Sequence, residues 1–297
     1  MPSGDVMRLT WATDVHLDFI TNLNSAKATA RNFDIFCSFF KKESCDAIVL
    51  SGDISIAMFL QDHLLALEER LKRPIYFVLG NHDFWGDRTM HVRKMMTELS
   101  NRSEYLKYLS AIPYVQLNKD IFMVGHDGWY DGLYGDPRLS SLVMNDWTQI
   151  GDYVDASSPI FRDKQIIDSA AILTVAREQA LLATRHVTDG IKSLLSRRSP
   201  RKIIVVTHVP PFTQPLDLSG SFKDRGTKQD VYPWYTSKTM GDMLLSVANS
   251  NLAVQFEVLC GHCHVKCDEY ITSNLFLRSG VAEYYNPKPQ LTFDISS

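Results

Sequence analysis

Ala47-Ile48-Val49-Leu50-Ser51-Gly52-Asp53 is the stretch on which the reading of this chain turns. Four consecutive apolar residues, stopped by a Ser-Gly turn, make a strand buried on both faces rather than a helix. The strand delivers a carboxylate, Asp53, at its carboxyl end. The same grammar recurs in both directions along the chain. Upstream, 7–13 (MRLTWAT) is β-rich and ends at Asp14, with His16 two residues on. Downstream, 74–79 (PIYFVL) runs into Gly80-Asn81-His82-Asp83, and 202–206 (KIIVV) runs into Thr207-His208. The run 254–259 ends at Cys260-Gly261-His262-Cys263-His264.

Helical periodicity fills the intervals, over 25–42, 56–71, 87–109, 163–195 and 238–249. Another strand is expected at 121–124, and three short ones in 269–295, with turns at Ser273-Asn274 and around 287–289. Alternating strands and helices predict an α/β fold with largely parallel pairing, and the strand-rich end predicts a second, more antiparallel sheet. No Pro-, Gly- or Ser-rich linker interrupts the chain, so residues 1–297 are expected to form a single domain. Two long irregular segments, 126–162 and 210–236, have the length of functional loops.

Composition narrows the classes. The chain has 297 residues, 45% hydrophobic and 22% charged, with a net charge of −3, so nothing basic overall favours nucleic acid as a partner. No run of 18 apolar residues predicts a membrane span. The first residues lack a basic and then apolar leader, and the five cysteines are odd in number. Reduced thiols and a cytoplasmic location are therefore expected.

The polar residues at the strand ends are of a kind. Asp14, His16, Asp53, Asn81, His82, Asp83, His208, His262 and His264 all follow predicted strands, and five of the nine histidines are among them. Ligands of open α/β sheets bind at the carboxyl ends of strands, where such loops converge. Carboxylate and amide oxygens mixed with imidazoles suit divalent Mn, Fe, Zn or Ni. A carboxylate bridging two such ions, about 3.5–4 Å apart, sets up hydrolysis of a phosphate ester by an activated water.

The ordered set Asp14-x-His16, Gly52-Asp53, Gly80-Asn81-His82-Asp83, Thr207-His208 and Gly261-His262-x-His264 resembles the calcineurin-like metallophosphoesterase superfamily. That resemblance implies a four-layer αββα sandwich of two mixed β-sheets flanked by helices. It also implies two divalent metal ions, the first held by Asp14, His16 and His264, the second by Asn81, His208 and His262, with Asp53 shared. His82 would face the substrate, a phosphomonoester or phosphodiester, and Asp83 would orient it. A shorter likeness, Gly125-His126-Asp127-Gly128-Trp129-Tyr130-Asp131 with Met144-Asn145-Asp146, looks like a segment of small bacterial phosphoesterases and names no substrate. The alternative of another class is a non-catalytic metal-binding scaffold on the same fold; an intact ligand set with His82 argues against it.

Other residues have plainer readings. Cys260-x-x-Cys263-x-x-x-Cys267 has no second cysteine pair to complete a structural zinc site. His63 and His186, on helical stretches, are expected to be solvated, and His126, at a strand end, could face the substrate. Trp129, Tyr130, Trp147, Trp234 and Tyr235, with Lys223, Arg225 and Lys228, either close the long loops over the core or meet the ligand, and the first reading is favoured.

Overall fold

A computed structural model describes residues 7–21, 26–42, 45–156, 169–218 and 226–295. Among the described residues, eleven strands are formed: β1 Met7–Ala12, β2 Ala47–Ser51, β3 Ile75–Val78, β4 Leu106–Tyr108, β5 Val115–Gln116, β6 Ile121–Gly125, β7 Lys202–Val206, β8 Gln255–Cys260, β9 Cys267–Thr272, β10 Leu275–Ser279 and β11 Leu291–Ile295. They make a five-stranded sheet, ordered β11-β1-β2-β3-β4, and a six-stranded sheet, ordered β5-β6-β7-β8-β10-β9. β1 to β4 pair in parallel, as do β6, β7, β8 and β10, while β11, β5 and β9 join antiparallel at the edges.

Strand alternation sorts the side chains into layers. Ala47 and Val49 of β2, with Leu9, Trp11, Ile204, Val206 and Leu259, fill the space between the two sheets. Their neighbours Ile48 and Leu50 face outward and pack with residues of the helices Ala26–Lys42, Ala57–Leu71 and Thr89–Arg102. On the second sheet, Ile203, Val205, Phe256 and Val258 face out against the helices Ser169–Leu195 and Lys238–Ser250. The result is the expected αββα sandwich. Each large apolar side chain taken out of water here contributes about 1.5–3 kcal/mol.

The helix expected over 87–109 stops early, at Arg102, and β4 takes its end. Ser103 explains the break: its hydroxyl accepts the backbone N–H of Tyr105 and Leu106, at 3.1 and 2.7 Å. The freed Leu106 and Tyr108 then pair with β3. Within 126–162, the described residues carry a 3-10 turn and two short helices, Asp146–Gln149 and Gly151–Ala156. Among the described residues, no helix is long and apolar enough to cross a membrane.

Candidate metal centre

The parallel strands bring their carboxyl ends to one edge of the sandwich. Asp14 and His16 follow β1, Asp53 follows β2, Asn81 follows β3, His208 follows β7, and His262 and His264 follow β8. Backbone hydrogen bonds stitch these loops together: Asp14 and His16 donate N–H to the carbonyls of Gly52 and Asp53, and Gly261 donates to His208. The conformations are costly ones. Seven non-glycine residues have positive φ among those described, and five of them are Asp14, His16, Asp53, His262 and His264. Left-handed backbone at β-linked carboxylates and imidazoles is the strain expected where function fixes geometry. Gly80 leaves the room they need, since a Cβ there would lie 2.1 Å from Asp53 Oδ1.

One half of the site turns three polar side chains toward a common point. His208 Nδ1 donates to the Ser51 carbonyl at 2.9 Å, which turns Nε2 inward. His262 Nε2 donates to the Trp234 carbonyl at 3.1 Å, which leaves Nδ1 inward. The Asn81 amide nitrogen donates to Asp146 Oδ1 at 2.8 Å, so its Oδ1 is the atom turned to the histidines. That oxygen lies 3.1 Å from His208 Nε2 and 2.9 Å from His262 Nδ1. Asp53 Oδ1 is 3.3 Å from His208 Nε2. Lone pairs brought this close require a proton or a cation among them.

In the other half, Asp14, His16, Asp53 and His264 offer ligand atoms within 4.8 Å of one another. Both ring nitrogens of His16 are buried and without a hydrogen-bond partner, a cost that a cation at one of them would remove. Burial holds His16 down at about 4, so its imidazole is neutral and able to ligate at pH 7. Burial works to raise the Asp14 carboxyl, but His264 beside it prevails and keeps it at about 2. Asp53 is likewise held well below the usual range: burial opposes ionisation, and His208, His82 and His16 outweigh it. For His208, burial is overcome by the Asp53 carboxylate, which lifts it to about 10, whereas burial and the charge on His208 push His262 down to about 3.

His82 stands beside these groups with its side chain 16% exposed and Nε2 4.0 Å from Asp53 Oδ2. Its ring stacks on Trp85, centroids 3.6 Å apart. Asp83, expected from the sequence to orient it, takes backbone partners instead. Asp83 is fully buried, and its carboxylate accepts the backbone N–H of Ile54, Ser55 and Gly80 at 2.9, 2.7 and 2.8 Å. Both Asp83 oxygens are engaged by backbone N–H groups, while His82 Nδ1 is buried without a hydrogen-bond partner and its ring rests on Trp85.

Residues 7–266 match the family described as calcineurin-like phosphoesterase. The chain belongs to that family. Two solved structures share the fold: a phosphopantetheinyl hydrolase from Mycobacterium tuberculosis and a dimetal phosphatase from Danio rerio. The first is 13% identical with a TM-score of 0.53, the match covering 95% of each chain. The second is 12% identical with a TM-score of 0.51, covering 93% of this chain and 87% of the other. No curated protein sequence matches this one.

Around the calcineurin-like phosphoesterase site, several expectations change. His126 is buried and accepts a backbone N–H from Gly128, so it does not face a substrate. His63 is 8% exposed and bonded to Ser55 and Thr21, rather than solvated. His186 is partly buried and donates to the Leu109 and Ile112 carbonyls. Trp129, Tyr130, Trp147 and Trp234 do close the loops over the core, while Tyr235 lines the cleft. Lys223 and Arg225 lie outside the described residues, and Lys228 pairs with Asp217. The five cysteines are free and buried. Two residues given no role from sequence adjoin the site: Trp85, and Asp146, which accepts from both Asn81 and Trp85. Proximity to His82 in the chain was the only signal for Trp85.

Proposed function

We propose that the chain hydrolyses a phosphate monoester or diester with two divalent cations. Asp14, His16 and His264 hold one, Asn81, His208 and His262 hold the other, and Asp53 is shared. The observation that carries this reading is the convergence of Asn81 Oδ1, His208 Nε2 and His262 Nδ1, the oxygen lying 3.1 and 2.9 Å from the two nitrogens. Mn, Fe, Zn and Ni fit the mixed oxygen and imidazole donors. When bound, such ions supply positive charge for phosphoryl oxygens and lower the pKa of a water that serves as nucleophile.

The chain's own residues do the rest. His82, at the edge of a cleft of about 210 Å³, is placed to hydrogen-bond a phosphoryl oxygen or to give a proton to the leaving group. Its Nε2 stands 4.0 Å from Asp53 Oδ2. Among the described residues, the cleft is lined by no Lys or Arg; Leu142, Val143, Met144, Tyr235 and Tyr284 form much of its wall. That wall suits a leaving group with apolar surface better than a polyanionic one. The test is hydrolysis of p-nitrophenyl phosphate and bis-p-nitrophenyl phosphate with added Mn²⁺, against protein stripped with a chelator. Metal-dependent turnover of either supports the reading. Turnover of neither favours the non-catalytic scaffold.

A further inference from the structure

Asp146 opens the short helix Asp146–Gln149, far in sequence from every strand-end motif, yet it lies fully buried beside the site. One of its oxygens, Oδ1, receives two hydrogen bonds of 2.8 Å, from the Asn81 amide and from the Trp85 indole N–H. The other, Oδ2, receives the Tyr130 hydroxyl at 3.3 Å. Each of the first two donors belongs to a different half of the chemistry. Asn81 turns its oxygen toward His208 and His262 only while its nitrogen is held, because an amide rotated by half a turn would present N–H to that side. Trp85 is the plate on which the His82 ring rests, 3.6 Å away and 24° from parallel.

We propose that Asp146 is a positioning residue that sets the Asn81 oxygen toward the second cation and, through Trp85, fixes the His82 ring beside it. One oxygen thus couples the cation site to the group that meets the substrate. Two features support this beyond simple core packing. Both donors converge on a single atom, so the two side chains share one anchor. Asp146 Oδ1 accepts from the Asn81 amide nitrogen, and so holds the amide with its oxygen on the side that a cation requires. The inference rests on the two-cation reading above.

The experiment measures divalent cation affinity by competition with a fluorescent chelator, using Mn²⁺ and Zn²⁺, alongside turnover and thermal unfolding. Asp146→Ala should weaken one of two sites by about 10- to 100-fold, the range for partners of metal ligands, while the other site keeps its affinity. Asp146→Asn retains an acceptor oxygen for both donors and should restore that affinity close to wild type. Trp85→Phe keeps a ring under His82 but loses the N–H, and should lower turnover with both cations held at wild-type strength. Asp146→Ser withdraws the oxygen from both donors while leaving a polar group in place, and gives the same readout should the alanine variant not fold. Two full-strength sites in a folded Asp146→Ala or Asp146→Ser protein would overturn the inference and leave the two-cation reading intact. Equal weakening of both sites in proportion to lost stability would also overturn it, as a merely structural effect. Fewer than two cations on the wild-type protein would sink both.

Discussion

The Asp83 carboxylate accepts the Ser55 backbone N–H at 2.7 Å, and so ties the turn after β3 to the loop that carries Asp53. The bonds from Ile54 and Gly80 complete the tie. A buried donor left unmatched costs about 1–3 kcal/mol. Asp83→Ala, which strands three of them, should therefore destabilise the protein by at least about 3 kcal/mol in urea unfolding, with activity lost as the loops separate. Asp83 would be the partner of His82 after all if the variant kept its stability and lost only turnover.

His82→Ala should act in the opposite sense. The side chain stacks on Trp85 at the edge of the candidate ligands, its Nε2 4.0 Å from Asp53 Oδ2. Turnover should fall about 100-fold or more, as for loss of a general acid, with metal content nearly unchanged. Metal analysis of the purified variant checks this, and loss of a cation along with activity would make His82 a ligand.

Gly80→Ala probes how tightly the site is built. The added Cβ would fall 2.1 Å from Asp53 Oδ1 and 2.7 Å from His208 Nε2, an overlap that only displacement of those ligands relieves. Cation affinity should drop in a protein whose sheets still form. Isothermal titration with Mn²⁺ reads it, and wild-type affinity would mean that Asp53 is free to move.

His63 gives a pH signature away from the metals. Burial pushes it down to about 4 from an ordinary 6.5. A histidine depressed on folding takes up its proton more readily when unfolded, so stability rises with pH through this window and is lost as pH falls from about 6.5 towards about 4. At pH 5 its share of the loss is about 2 kcal/mol. His63→Gln, which keeps hydrogen-bonding atoms for Ser55 and Thr21, should flatten the decline in urea unfolding between pH 7 and pH 5. An unchanged slope would assign the acid sensitivity elsewhere.

Much of the fold was legible because short apolar runs ending in polar triplets have few other meanings. β2, β7 and β8 were each visible as such runs, and their carboxyl ends carried the candidate ligands. β4 and β5 were not, because three and two residues are too few to show an alternation, and both owe their existence to pairing with β3 and β6. The candidate ligand set could be read from residue types at strand ends. The groups that orient it could not. Asp146 reaches Asn81 across 65 residues, and Asp83 meets Ile54 and Ser55 rather than its neighbour in the chain. Such pairings depend on which loops the sandwich brings together, and no local pattern encodes that.

Asp53 is proposed to serve two cations, and the count of bound metal tests this most directly. Wild-type protein stripped, reloaded with Mn²⁺ and freed of excess should carry two ions per chain by elemental analysis, and Asp53→Asn should lose affinity at both sites together. One ion per chain in the wild-type protein, or an Asp53→Asn variant that keeps either site at full strength, would contradict it.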